Sequence, residues 1–291
     1  MSPNLSGIIA IFMWCVTPLL VVQCVNVPVF LMACISLAIG SLSIFCKSFI
    51  IDKNSIKQLL PKGIKPYLLT FYGLAGYTCF WYLAFKNAPA FDANTLNYLW
   101  PLMLVSLTMI LGKESFSLLE ILGVALGFIG VLLLFSQTNN NDAQYDHLLW
   151  GYIFAISGAF IWASYSAFTS SVDFHPNSMA VFLLIPALFF GLLHIAFETT
   201  YIPSGLEVLF LILLGFTRVS FGFWDYAMKH GTISLISSLS YFIPVISTVL
   251  LIISGYTPYN NLILLSAVFV LTGCITTNAK SILKIFSHEK S

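Results

Sequence analysis

The chain has 291 residues, of which 59% are hydrophobic and only 8% charged, with a net charge of +1 and a mean hydropathy of +0.94. A soluble domain carries about 25% charged residues, so this composition excludes a water-facing globule and points to lipid as the solvent. The near-zero net charge also excludes the basic surface that a nucleic-acid partner needs.

Ten apolar stretches are long enough to cross a bilayer, at about 20 residues per helical span: 6–23, 28–46, 66–85, 93–112, 118–136, 148–169, 178–197, 205–227, 232–254 and 258–277. They are expected to be helices, because backbone polar groups in lipid must bond within their own segment and the alternation of a barrel strand is absent. The first stretch reads as a span rather than a signal peptide, since residues 1–5 carry no Lys or Arg. No separate targeting segment is expected. Within it, Pro18 frees the carbonyl of Trp14, four residues earlier. Span 3 places Tyr77 and Trp81 at i,i+4 with Tyr82 beside them, and Asp92 precedes span 4. Span 4 carries Asn97-Tyr98-Leu99-Trp100-Pro101, so Pro101 frees the carbonyl of Asn97. Glu114 and Glu120 sit at the start of span 5. Gln137–His147 is polar, with Asn139-Asn140-Asn141-Asp142 in a row, and is the natural joint of the chain.

Span 6 places Trp162 and Tyr165 at i,i+3, and span 7 contains Pro186. Glu198 and Glu207 flank the loop between spans 7 and 8. Span 8 holds Arg218, the sole arginine. A cation at that depth costs at least ~2.5–3.5 kcal/mol and should face a partner or water. Asp225 lies on the same face, but seven residues rise about 10 Å, so a direct pair would be stretched. Span 9 has a polar stripe of Ser237, Ser240, Tyr241, Pro244, Ser247 and Thr248, and Pro244 frees the carbonyl of Ser240. Two readings fit each motif. Aromatic stripes line an amphipathic cavity or pack helices together. Hydroxyl stripes line a pore or mediate helix contacts. Prolines kink a helix for packing or mark a bending point.

The second half repeats the first at an offset of 143 residues. Phe80-Trp81 falls on Phe223-Trp224, Ala84 on Ala227, and Lys86 on Lys229. Leu96–Pro101 falls on Leu239–Pro244, Gly112 on Gly255, and Gly130 on Gly273. The register holds for roughly fifty residues without a gap. Arg218 falls on Ala75, so this charge breaks the symmetry. Each copy has an odd number of spans, so the two should be inverted, as in secondary transporters with a substrate site between their halves. Lys47, Lys53, Lys57, Lys62, Lys65, Lys113, Lys229, Lys280, Lys284 and Lys290 fall on one side of a ten-span chain, against Lys86 alone on the other. That bias makes the lysine-rich side, with both termini, cytoplasmic, and the Gln137–His147 loop external. The expected division is a first repeat over 1–137, an external linker over 138–147, a second repeat over 148–278 and a cytoplasmic tail over 279–291.

Cys15, Cys24, Cys34, Cys46, Cys79 and Cys274 show no metal-ligand or CxxC spacing and read as small packing residues. Whether Cys24 meets Cys79 stays open at this level. The chain has no HExxH, GxSxG or phosphate-loop motif. No catalytic residue, metal or cofactor is expected. No carboxylate stands clearly at mid-membrane, which weakens a proton-coupled reading.

The strings Asn97-Tyr98-Leu99-Trp100-Pro101, Gly158-Ala159-Phe160-Ile161-Trp162-Ala163 and Ser240-Tyr241-Phe242-x-Pro244-Val245 with Ser247 carry a family likeness. The chain resembles the drug/metabolite transporter superfamily, in its ten-span EamA-like branch, and is most similar there to YddG-type aromatic amino-acid exporters. The resemblance implies an all-α membrane protein of ten transmembrane helices, built as two inverted five-helix repeats. Spans 1–4 and 6–9 would surround a central cavity, with spans 5 and 10 outside. It implies export of aromatic amino acids or related amphipathic compounds across a bacterial inner membrane, by a monomer or weak dimer. Arg218 stands where those exporters are expected to have a small residue, which opens an alternative. An anionic or nucleoside-containing metabolite such as S-adenosylmethionine could be exchanged or imported. A membrane scaffold or receptor derived from the same fold is the non-transporter alternative. The cavity candidates are Trp14, Tyr77, Tyr82, Asn97, Trp100, Trp162, Tyr165, Arg218, Ser240 and Tyr241, and the hinge candidates are Pro101 and Pro244.

Overall fold

Every one of the ten apolar stretches folds as helix, and the breaks fall at a few identifiable residues. The computed structural model describes residues 1–53, 56–112, 117–135, 147–259, 261–277 and 279. The expected linker 138–147, His147 apart, lies outside the described residues, as do Lys113, Glu114 and the tail beyond residue 279.

The first half contains α1 (Pro3–Val22), α2 (Val29–Cys46), the short α3 (Ile56–Leu59), α4 (Lys65–Phe71), α5 (Tyr77–Asn87), α6 (Ala90–Asn97), α7 (Trp100–Ile110) and α8 (Leu118–Phe135). A π-helical turn, Lys47–Ile51, extends α2, and another, Tyr72–Gly76, joins α4 to α5. The second half contains α9 (Leu148–Phe168), α10 (Met179–Phe197), α11 (Gly205–Thr217), α12 (Ser220–His230), α13 (Ile233–Leu239), α14 (Phe242–Ile253) and α15 (Asn261–Thr277). Among the described residues, seven helical runs are long and apolar enough to cross a membrane: Pro3–Val22, Val29–Ile51, Lys65–Asn87, Leu148–Ser171, Pro176–Phe197, Gly205–His230 and Leu235–Ile253. Predicted span 4 is divided into α6 and α7, and spans 5 and 10 coincide with α8 and α15.

Three spans are interrupted. The chain turns at Tyr98-Leu99 between α6 and α7, at Ser240-Tyr241 between α13 and α14, and at Arg218-Val219 between α11 and α12. Backbone bonds tighten there to the three-residue reach of a 3₁₀ turn. Leu99 N–H donates to Leu96 O (3.2 Å), Ile243 N–H to Ser240 O (3.0 Å), and Arg218 N–H to Gly215 O (3.0 Å). The sequence predicts kinks within helices at Pro101 and Pro244. Instead each proline lies in the first turn of a new helix, α7 or α14. The amides of a first turn have no intrahelical partner, so a residue without N–H starts a helix at no loss. Pro18 and Pro186 do lie inside α1 and α10.

The internal repeat is visible in the backbone. α5 and α12 end 143 residues apart, at Asn87 and His230; α6 and α13 begin at the same offset, at Ala90 and Ile233. α7 and α14 end at Ile110 and Ile253, and each is followed by a left-handed glycine, Gly112 (φ 66°) and Gly255 (φ 77°). Glycine adopts that conformation without the strain that a Cβ imposes. The counterpart of the Arg218 break is the π-helical turn that holds Ala75.

α1 packs against α11, α12 and α14; α2 packs against α10 and α11; and α9 packs against α5, α6 and α7. Most of the buried apolar side chains form one continuous core. The outer faces stay apolar, with Phe12, Leu192, Ile195 and Ile253 exposed, as a lipid-facing surface requires. At one end of the bundle Asn4 Oδ1 accepts from Thr232 N–H (2.9 Å), and Asn177 donates to Asp52 (2.7 Å). Lys47 also pairs with Asp52 at 2.6 Å. The Lys47 ammonium and the Asn177 amide hold the Asp52 carboxyl below its ordinary range. At the other end Glu198 accepts from Phe30 and Leu31 N–H (2.9 and 3.1 Å), capping α2. There Ser204 and Glu207 form a reciprocal capping box on α11, and Tyr152 donates to Asp92 (2.9 Å). Cys24 and Cys79 are both free thiols.

α8 and α15 pair closely over a seam of glycines. A Cβ placed on Gly123 would lie 2.2 Å from Thr277 Oγ1, and one on Gly273 would lie 2.6 Å from Gly123 O. Such small-residue seams let membrane helices approach backbone to backbone. Gly273→Val should therefore force the pair apart and destabilise the protein by about 1–3 kcal/mol. Thermal unfolding of the detergent-solubilised variant would show a lowered Tm; an unchanged Tm would remove the seam from the packing argument.

Candidate functional site

The breaks in α6/α7 and α11/α12 meet α1, α5 and α9 in the core, where the aromatic residues converge. Trp14, Trp100, Trp162 and Trp224 form a cluster of four indoles. Trp14 lies edge-on to Trp162 at 5.4 Å and to Trp100 at 6.1 Å, while Trp100 and Trp224 meet edge-on at 5.2 Å. Phe221 closes the group, 5.2 Å from Trp162. Two of the indole N–H groups are satisfied by serine: Trp14 donates to Ser220 Oγ (2.6 Å) and Trp224 to Ser166 Oγ (2.9 Å). Edge-to-face contacts place the positive ring edge on the negative ring face. A small cavity remains, lined by Trp14, Thr17, Tyr77, Trp81, Tyr98, Trp100, Trp162, Arg218 and Phe221. It encloses about 20 Å³, room for one water. The rings thus close on one another in this conformation.

Arg218 is 2% exposed, at the break where α11 gives way to α12. One glycine makes its position possible: a Cβ on Gly40 of α2 would lie 2.6 Å from the Arg218 Cβ. The guanidinium donates through Nη2 to the Tyr82 hydroxyl (2.6 Å), which in turn shares a hydrogen bond with Ser36 (2.9 Å). It also lies 5.5 Å from the ring centres of Tyr82 and Phe221 and 5.7 Å from that of Trp81. These aromatic faces stabilise a desolvated cation. Among the described residues no carboxylate pairs with Arg218, and its Nε–H has no hydrogen-bond partner.

Asp225 is committed elsewhere. Its carboxylate pairs with Lys229 at 3.0 Å and accepts from Thr169 and Tyr165. The Lys229 ammonium sits 3.2 Å from the centre of the Phe174 ring. Both charged groups are buried, and together they tie the end of α12 to the end of α9 and the loop after it. This plug is on the same end of the bundle as Asn4, Lys47 and Asp52.

Of the cavity candidates read from the sequence, Trp14, Tyr77, Trp100, Trp162 and Arg218 line this cavity. Tyr82 stands behind Arg218, and Asn97 donates to the Tyr77 hydroxyl (3.3 Å). Tyr165 reaches Asp225 while its ring packs on Trp162 (5.4 Å). Ser240 and Tyr241 are not brought to the cavity. The Ser240 hydroxyl bonds Ile236 O of its own helix (2.9 Å), and Tyr241 packs beside Val270 and Val245. The stripe on span 9 faces its neighbours: Asn94 of α6 donates to Ser247 (2.9 Å). The sequence reading missed Thr17, Tyr98 and Phe221, and passed over Trp81. Thr17 and Phe221 lie three residues beyond Trp14 and Arg218, so helical spacing from the selected residues would have found both.

Removing one member of a buried ion pair strands the other. Asp225→Ala should cost about 3–5 kcal/mol, read as a lowered Tm in detergent. Adding Lys229→Met should recover most of that loss; a double variant no more stable than the single one would count against the pair as a neutralised unit.

The EamA-like transporter family matches the chain twice, over residues 1–136 and 149–279. The chain is 29% identical to a protein of Ancylobacter novellus named aromatic amino acid exporter YddG, over 94% of this chain and 95% of that one. It is 26% identical to the protein of that name from Escherichia coli, over 55% of this chain and 57% of that one. An uncharacterized transporter of Acidianus ambivalens is 29% identical over 59% of this chain and 67% of its own length. A solved crystal structure superposes with a TM-score of 0.82 at 27% identity, covering 95% of this chain and 96% of that one.

Proposed function

We propose that this chain, which belongs to the EamA-like transporter family, is a secondary transporter that exports a small amphipathic metabolite by alternating access, with aromatic amino acids or close relatives as cargo. The protein is an integral, multi-pass membrane protein of that family. The observation that carries the reading is the closed aromatic cluster built where interrupted helices from both halves meet. Irregular backbone at membrane depth is tolerated where it is buried in protein or lines a cavity. In transporters such breaks build the substrate site. Indole and phenol rings suit the aromatic body of a cargo. The names of the relatives from Ancylobacter and Escherichia agree with such a cargo.

In this reading residues 1–137 and 148–278 are two inverted repeats of five spans each, joined by an external linker, with both termini in the cytoplasm of a bacterial cell. Two observations support the inversion. Asn87, at the C-terminal end of α5, lies by Gly151 at the start of α9, whereas Lys229, near the equivalent end of α12, lies over Phe174 beyond the other end of α9, and Asp225 of α12 bonds Thr169 there. The lysine bias then makes the Asp225–Lys229–Phe174 plug the cytoplasmic gate. Opening that gate and closing the opposite end would expose the cavity to each side in turn. A monomer or weak dimer suffices, since the cavity is formed within one chain.

The test is counterflow in proteoliposomes. Vesicles loaded with unlabelled phenylalanine should accumulate labelled phenylalanine, tyrosine or tryptophan, and a protein that only dissipates gradients, or moves nothing, would sink the reading. Trp162→Ala should lower the rate by about tenfold or more, the equivalent of one lost aromatic contact, while membrane abundance stays normal.

Pro101 and Pro244 lie in the first turns of α7 and α14, the second halves of interrupted spans 4 and 9, and are proposed as symmetric bending points. Pro101→Ala and Pro244→Ala restore a backbone donor and permit a continuous helix. Each should change the counterflow rate while leaving a folded protein. Unchanged kinetics in both variants would reduce them to helix starts.

A further inference from the structure

The cavity has a one-sided polar chemistry. Its lining contains a single charged group, the Arg218 guanidinium, and no carboxylate. The acid on the adjoining α12, Asp225, is already neutralised by Lys229 at 3.0 Å. Two polar groups of the lining are buried without a hydrogen-bond partner among the described residues, Arg218 Nε–H and Trp81 Nε1–H. Both are donors. They are neighbours, with the guanidinium carbon 5.7 Å from the Trp81 ring centre. Tyr82, anchored by Ser36, accepts from Nη2 of the guanidinium and so helps to hold its orientation. Among the described residues, the buried amide oxygens without partners, Asn94 Oδ1 and Asn97 Oδ1, belong to α6 and are outside the lining.

Buried donors with no acceptor are costly, and so is an unpaired buried cation. A ligand that contributes only acceptors removes both costs. A carboxylate does this with its two oxygens, and a guanidinium is the side chain that suits it best. An ammonium finds the reverse, since no acid in the lining receives it and Arg218 repels it.

On the reading of this site as an aromatic-cargo carrier, we infer that the cargo is recognised as an aromatic monocarboxylate: the acid group seats between Arg218 and Trp81, the ring lies among the indoles, and an amino group is not required. The cargo class is therefore the aromatic carboxylic acids, and aromatic amino acids enter it through their carboxylate alone. Trp81 is a specificity-determining residue in this scheme, and Tyr82 a positioning one.

Equilibrium binding to the purified, full-length protein in nanodiscs tests this with three probes: L-phenylalanine, 3-phenylpropionate and phenethylamine. 3-Phenylpropionate should bind at least as tightly as phenylalanine, and phenethylamine at least about tenfold more weakly, the fold-change of one hydrogen bond to a charged group. Phenylalanine tighter than 3-phenylpropionate by tenfold would overturn the inference while leaving the aromatic-cargo reading intact. So would phenethylamine binding as well as the acids. Failure of all three to bind would remove the aromatic-cargo reading and the inference together. Arg218→Gln should abolish the preference for the acid over the amine. Trp81→Phe keeps an aromatic ring but removes the donor, and should weaken 3-phenylpropionate by about tenfold more than it weakens phenethylamine. A Trp81→Phe protein that folds normally and binds the acid unchanged would overturn the two-donor seat.

Discussion

A buried arginine that no acid pairs with among the described residues is the constraint from which the rest of the interior follows. Lipid cannot solvate Arg218, so the fold must surround it with protein on every side. It does so with aromatic faces at 5.5–5.7 Å and one phenol hydroxyl. These partners moderate the charge without cancelling it. The break at Arg218-Val219 has the same need, because backbone groups outside a regular helix must also avoid lipid. Charge, broken helix and aromatic cluster therefore share one place.

The Asp225–Lys229 pair shows the opposite solution about two turns further on. There the acid and the base neutralise each other, and Thr169 and Tyr165 fill the remaining positions on the carboxylate. The two charged sites on one span thus differ in kind. One is internally complete and joins two elements at the end of the bundle. The other is incomplete and faces a cavity. That contrast separates a closing contact from a binding surface, although residue type alone would class both as buried charge.

The packing divides in the same manner. α8 and α15 meet over glycines at backbone distance, a seam with little room for adjustment. The helices around the cavity meet instead through rings and short hydroxyl contacts, and three of their spans are interrupted. Rings can turn past one another, and a two-residue break can absorb a change of angle; a glycine seam cannot. A rigid pair beside an interrupted, ring-packed bundle suits a protein that must change shape around its cargo.

Composition and periodicity by themselves determined the all-helical class, the position of each apolar segment and the repeat at 143 residues, because lipid permits few alternatives and the repeat is a property of the string. They also marked Arg218, since a lone arginine deep in an apolar stretch must find a partner or water. What they left open was direction. Tyr241 and Ser240 share the stripe of Ser247, yet one packs on Val270, one bonds its own helix and one meets Asn94. Tyr82 and Trp81 are adjacent in the chain, yet only Trp81 lines the cavity. Which face of a helix turns inward depends on neighbours distant in sequence, and in lipid both faces are apolar, so the pattern that distinguishes inside from outside in a soluble helix is missing. Only the tertiary structure decided that Asp225 reaches Thr169 and Tyr165 rather than Arg218, and that Arg218 Nε–H and Trp81 Nε1–H find no acceptor among the described residues, because those facts are set by distances between helices rather than by spacing within one.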